Sequence, residues 1–194
     1  MTGLMFDKEQ IERLLNELGT ELINDGVRAE MFIVGGAAMA LAYNTRRATR
    51  DIDAVFEPKQ NVYQAAARVG SKYGLPADWL NDSVKGLLPG ADPEQRTYFE
   101  SPGISISVAS PKYLLALKVA AARVDRDTDD IQALAKICGL SSADEILTAT
   151  EQIMGERRRV ARPQKPIKLT RVRCGARTAS GRRCRNWSGS CPYH

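Results

Sequence analysis

Apolar positions at three-and-four spacing open the chain. Ile11, Leu14, Leu15, Leu18 and Leu22 share one face of a helix predicted over residues 7–22, with Asp7 as its cap and Gly26 as its stop. The period then changes. Residues 31–34 form a short continuous apolar run, read as a buried strand, and it ends in Gly35-Gly36. A small-residue helix over 37–43, a second strand over 52–56 closed by Pro58, and a helix over 63–73 follow. Residues 74–95 carry Pro76, Pro89 and Pro93 among several glycines and read as a long surface loop. Two short strands are predicted over 96–100 and 104–108, split by Ser101-Pro102-Gly103. Pro111 opens a helix through residue 122, Asp127 opens another through 138, and Ser142 with Glu145 fits a capping box for a last helix to about Gly155. Cys138 falls on the apolar side of its helix and reads as a core residue.

That order, a few strands mixed with helices and then helices alone, predicts an α/β (α+β) fold with a small mixed sheet and a helical C-terminal half. Apolar content of 43% supports a packed core, and no apolar run is long enough for a membrane-spanning helix. The N-terminus turns acidic and amphipathic at once, unlike a secretory signal, so a cytoplasmic location is expected.

Charge divides the chain. The net +5 combines 12 Lys+Arg against the single acid Glu156 over residues 156–194, giving +11, with a body at −6. Arg157-Arg158-Arg159, Pro163 and Pro166 mark a basic linker that cannot stay helical. The expected division is a body over 1–156, a linker over 157–170 and a small module over 171–194. A basic arm on an acidic body points to a phosphate-bearing partner, though charge of this kind also serves solubility alone.

The densest chemistry lies between residues 34 and 55. Asp51 and Asp53 stand one residue apart at a strand start, so both carboxylates face the same way. Two hard oxygens side by side suit a magnesium ion, which takes one or two carboxylates plus substrate phosphates. Gly35 and Gly36 let backbone approach a phosphate at a helix start. Alternatively, Gly-Gly is a plain tight turn and Asp-Ile-Asp a solvated strand edge.

The combination of Gly35-Gly36, a helix, and Arg47-x-Thr49-x-Asp51-x-Asp53 resembles the nucleotidyltransferase fold of the DNA polymerase β superfamily. Within it, the chain is similar to AbiEii-type toxin nucleotidyltransferases. The resemblance implies that Gly35, Gly36, Arg47 and Thr49 bind the nucleotide and that Asp51 and Asp53 hold Mg2+. Such enzymes usually carry a third carboxylate on a neighbouring strand, completing a two-metal clamp. The candidate strand, residues 104–108, contains no acid, and Glu100 is the nearest one. In AbiEii-like toxins a lysine on one helix and an aspartate on the next resemble the missing function. Lys118 and Asp130 match them, the lysine as a phosphate contact and the aspartate as activator of a hydroxyl or support for the metal, with Asp127 and Arg123 as further candidates. Read without the resemblance, Lys118 is a solvated lysine, Asp127 a helix cap, and Asp129 a water-facing acid.

Cys174, Cys184, Cys191 and His194 use three of the four cysteines and the sole histidine. Three thiolates and one imidazole satisfy the tetrahedral preference of structural Zn2+, and the segment between them is too poor in apolar residues to fold unaided. A disulfide would leave one of these cysteines over. Arginines surround the ligands, and Trp187 offers a stacking surface, a mixture suited to nucleic acid; a protein or membrane-surface partner stays open.

Three functions stand at this stage. The first is magnesium-dependent transfer of a nucleoside monophosphate from an NTP to RNA, tRNA being the acceptor that the toxin resemblance implies, with an antitoxin protein as partner. The second is a nucleic-acid-binding protein on a catalytically degenerate nucleotidyltransferase fold. The third is nucleotidyl transfer to a protein hydroxyl.

Overall fold

A computed structural model of the chain describes residues 4–43, 48–121 and 124–155. Helix α1 (Lys8–Asn24) starts where Asp7 accepts from the Gln10 backbone while the Gln10 side chain accepts in return from the Asp7 N–H, a complete capping box. Its buried stripe includes Ile11, Leu14, Leu15, Leu18 and Leu22, as the spacing predicts. Strand β1 (Ala29–Ile33), helix α2 (Gly35–Ala42), strand β2 (Ile52–Glu57) and helix α3 (Lys59–Tyr73) follow. Next come β3 (Leu80–Asn81), a 3-10 turn (Ser83–Leu87), β4 (Arg96–Glu100), β5 (Ile104–Val108) and helices α4 (Pro111–Ala120), α5 (Val124–Ile137) and α6 (Ala143–Met154).

The five strands form one mixed sheet in the order β3-β2-β1-β5-β4. β1 runs antiparallel to β2 and parallel to β5, with Ile33 level with both Ala54 and Val108. Alternation then sorts the side chains. Ala29, Met31, Ile33, Ile52, Ala54, Phe56, Ile104, Ile106 and Val108 are buried on one face. That face meets α1 and α3, and the Phe56 ring packs edge-on to Tyr63 of α3. The opposite face carries Phe32, Asp53 and Val55, all half-buried, and Phe32 packs edge-on to Tyr113 of α4. α4 packs in turn against α5 and α6. The expected α/β class and helical C-terminal half are both present.

Three local expectations need correction. Residues 74–95 are not all loop: Trp79 is buried at 2% exposure, its indole N–H donates to the Ala66 carbonyl of α3, and β3 follows it. Truncating such a core Trp costs about 3–5 kcal/mol, an anchor that proline and glycine punctuation conceals. α5 begins at Val124, so Asp127 lies inside the helix rather than capping it. Cys138 is half-exposed just past α5, although desolvation still raises its thiol pKa.

Candidate active site

A cavity of about 1020 Å³ opens between the half-buried sheet face and the helical half. Its acidic and glycine-bearing wall comes from two adjacent strand ends. The Val34 N–H donates to the Asp53 carbonyl at 2.9 Å, which holds the start of α2 against β2. Gly35 has φ +64°, and a Cβ there would sit 2.9 Å from Asp53 Oδ2. Both facts favour glycine: the left-handed backbone alone costs an L-residue about 1–2 kcal/mol, and a side chain would have to displace the Asp53 carboxylate. Val34 supplies no side-chain cap to the start of α2. Asp51, one residue before β2, shares the parity of Asp53, and both line the cavity with Gly35 and Gly36.

Thr49 is also in the lining, though only 4% exposed. Its backbone exchanges two hydrogen bonds with Phe6, which brings the N-terminal segment and Met5 to the cavity edge. Arg50, which falls between the positions of the Arg47-x-Thr49-x-Asp51-x-Asp53 pattern, lines the cavity as well. Arg47 and Arg123 lie outside the described residues, as do Cys174, Cys184, Cys191 and His194.

The helical wall holds a buried charge cluster. Lys118 of α4 is 9% exposed, with its Nζ 3.1 Å from Asp127 Oδ1 and 2.7 Å from Asp130 Oδ2. Asp127 and Asp130 are one helical turn apart on α5, so they reach Lys118 from the same face. The solvated lysine expected of an Ala-rich helix is therefore absent. Lys118 and Asp127 line the cavity, whereas Asp130 stands behind the lysine and outside the lining. Asp129 is exposed.

Glu100 lies elsewhere. It is level with Ser105, which is level with Glu30 at the start of β1, and Glu30 is level with Glu57 at the far end of β2 from Asp53. Strand rise and spacing separate it from Asp53 by about 13 Å along the strands and about 14 Å across them. Its carboxylate pairs with Arg28 at 2.5 Å. The strand beside Asp53 is not 104–108 but β3, and the residue level with Asp53 is Asn81, a neutral amide whose Oδ1 accepts from the Ser83 N–H and hydroxyl. Asp82, next in sequence, points to Lys59 at 2.6 Å and to the Tyr63 hydroxyl at 2.7 Å, and these partners lower its pKa.

The donor set fits magnesium. Two carboxylates on one face beside an uncapped helix start match an ion that binds through one or two acids and completes its shell with phosphates and water. Among the described residues, no group of three or more His, Cys, Asp and Glu gathers as a metal site. None of the described helices is long and apolar enough to cross a membrane.

Comparison with known proteins agrees with this geometry at the level of family. No curated protein and no solved structure matches the chain. A family model described as "Nucleotidyltransferase of unknown function (DUF6036)" matches residues 9–165, which run from the second residue of α1 through α6 and include the whole cavity wall except Met5. With most of its length matched, the chain belongs to that nucleotidyltransferase family.

Proposed function

We propose that the protein is a magnesium-dependent nucleotidyltransferase that moves a nucleoside monophosphate from an NTP to RNA, as a relative of AbiEii-type toxins acting on tRNA. The observation that carries the reading is the convergence of Gly35, Gly36, Asp51, Asp53, Lys118 and Asp127 on one cavity from both halves of the fold. In this reading the α2 start and Gly35-Gly36 bind triphosphate oxygens. Asp51 and Asp53 hold the magnesium, which when bound neutralises phosphate charge. Lys118, fixed by Asp127 and Asp130, presents a positive charge to the phosphates. The acceptor hydroxyl forms a bond to the α-phosphorus as the bond to the leaving pyrophosphate breaks, and its proton passes to a cavity carboxylate. Positioning and charge neutralisation account for most of such catalysis. RNA as acceptor rests on the toxin resemblance and on the +11 segment at 156–194.

A degenerate nucleic-acid-binding protein is the second reading, favoured by Asn81 at the place beside Asp53 where a third acid would sit. Incubation with each labelled triphosphate, magnesium and total RNA separates the two: label in RNA supports transfer to RNA, label in protein redirects the acceptor, and label in neither favours the binding protein. Truncation before Arg157 tests the arm. The full chain is expected to carry about one zinc through four ligands. The truncated body is expected to lose that zinc and to bind RNA more weakly with a flatter salt dependence. Equal affinity at equal salt would show that 157–194 does not hold the RNA.

A further inference from the structure

The cavity has a second wall that the phosphate chemistry does not use. Because β3 lies beside β2 with Asn81 level with Asp53, the turn Ser83–Leu87 begins next to the carboxylate pair. Ser83, Val84 and Leu87 of that turn line the cavity. At about 2.0 Å per residue the turn carries Leu87 roughly 8–10 Å from its start, comparable with the span from phosphate to base in a nucleotide. Adjacent leucines behave oppositely there: Leu88 packs against the core, while Leu87 is 53% exposed.

Met5, 44% exposed, lines the same cavity. Five large hydrophobic side chains are exposed among the described residues; two of them line this cavity, and a third, Leu4, precedes Met5. Exposed apolar side chains thus border the site itself, where a ligand can cover them. A cavity of about 1020 Å³ also exceeds what phosphates and a metal fill, since pockets of roughly 300–1,000 Å³ hold whole drug-sized ligands.

We infer that Leu87 and Met5 form the platform that holds the nucleobase, a reading that rests on the nucleoside triphosphate site proposed above. The base covers Leu87 and Met5 while the triphosphate reaches back to Gly35, Gly36, Asp51 and Asp53. The flexible thioether of Met5 adapts to either ring size. Burial of Leu87 by the base supplies affinity that a bare polyphosphate cannot obtain.

The test compares ATP, GTP, CTP and UTP with inorganic tripolyphosphate, each with magnesium, by calorimetry on the full-length chain. Wild type is expected to bind at least one nucleoside triphosphate about tenfold more tightly than tripolyphosphate, and Leu87→Ala to lose most of that difference, the scale of one apolar side chain uncovered. Tripolyphosphate affinity is expected to stay within twofold, and Leu87→Met to keep the preference; Leu87 is exposed, and a thermal melt of each variant checks that it folds. Binding of both probes with no preference in wild type overturns the platform while leaving the phosphate site standing. Equal weakening of both probes in Leu87→Ala, or no change in either, also overturns it. If wild type binds neither probe, the nucleotide reading falls and the platform falls with it.

Discussion

Two pairs of aspartates stand at one cavity, three of the four in its lining, and meet opposite fates. Asp51 and Asp53, separated by one residue at a strand start, are half-buried, with their carboxylates on the open sheet face. Asp127 and Asp130 lie three apart on a helix, 9% and 5% exposed, and close on one buried lysine. Spacing alone puts each pair on a single face. What separates them is burial and access to the cavity. The sheet pair lines the cavity beside a glycine turn, where a metal entering from solution can reach both carboxylates. The helix pair is buried against Lys118, and desolvation makes that cation necessary. The first arrangement suits a metal; the second suits a fixed positive charge at the cavity edge.

The largest expected effect tests the sheet pair. Asp51→Ala or Asp53→Ala should reduce nucleotide transfer to background while the melting temperature stays nearly unchanged, because two like charges on one face add little to stability. Labelled-nucleotide incorporation and thermal denaturation on the same preparations check this. A clearly destabilised variant that still transfers would make the pair structural and erase the contrast with Asp127 and Asp130.

The helix pair predicts the reverse balance. Lys118→Ala leaves two buried carboxylates facing each other without their cation, and breaking such a buried pair costs about 3–5 kcal/mol. Asp130→Ala leaves the Lys118–Asp127 pair intact and should cost distinctly less. Both variants should slow transfer more than tenfold, a barrier change of at least about 1.4 kcal/mol, through loss or displacement of the lysine charge. Urea denaturation gives the stability order and single-turnover kinetics the rate. If Asp130→Ala proves as destabilising as Lys118→Ala, the cluster does not act as one lysine held by two acids; full activity in both variants would remove it from the nucleotide site.

The same contrast explains what the sequence disclosed. The glycines, Thr49 and the sheet aspartates fall within twenty residues, where strand parity and turn chemistry act locally, so their convergence could be read directly. The lysine cluster was legible as a spacing but not as a burial: local pattern made Lys118 solvated and Asp127 a cap, and only the packing of α4 against α5 reverses both. β3 escaped altogether. A two-residue strand has no period, and its place beside β2 is decided by hydrogen bonding between distant segments and by the burial of Trp79. Without it, the strand at 104–108 stood in as the neighbour of Asp53, and Glu100 gained a candidacy that the sheet order does not support.

Glu100 therefore gives the smallest expected effect and the sharpest limit on the comparison. It lies near the opposite end of the sheet from Asp53, with β5 and β1 between β4 and β2. Its partner is Arg28, whose guanidinium also donates to the Ser101 carbonyl at 2.8 Å. With side chains 48% and 61% exposed, the ion pair is solvated, and such pairs contribute about 0–1 kcal/mol. Glu100→Gln keeps the size and a hydrogen-bond acceptor while removing the charge. Transfer and magnesium dependence should be unchanged, and denaturation should shift by no more than the value of one surface pair. A raised magnesium requirement in Glu100→Gln would mean that this carboxylate reaches the metal in the working state. The sheet order would then have to change on substrate binding, and Asp51 and Asp53 would no longer be the metal's complete protein ligand set.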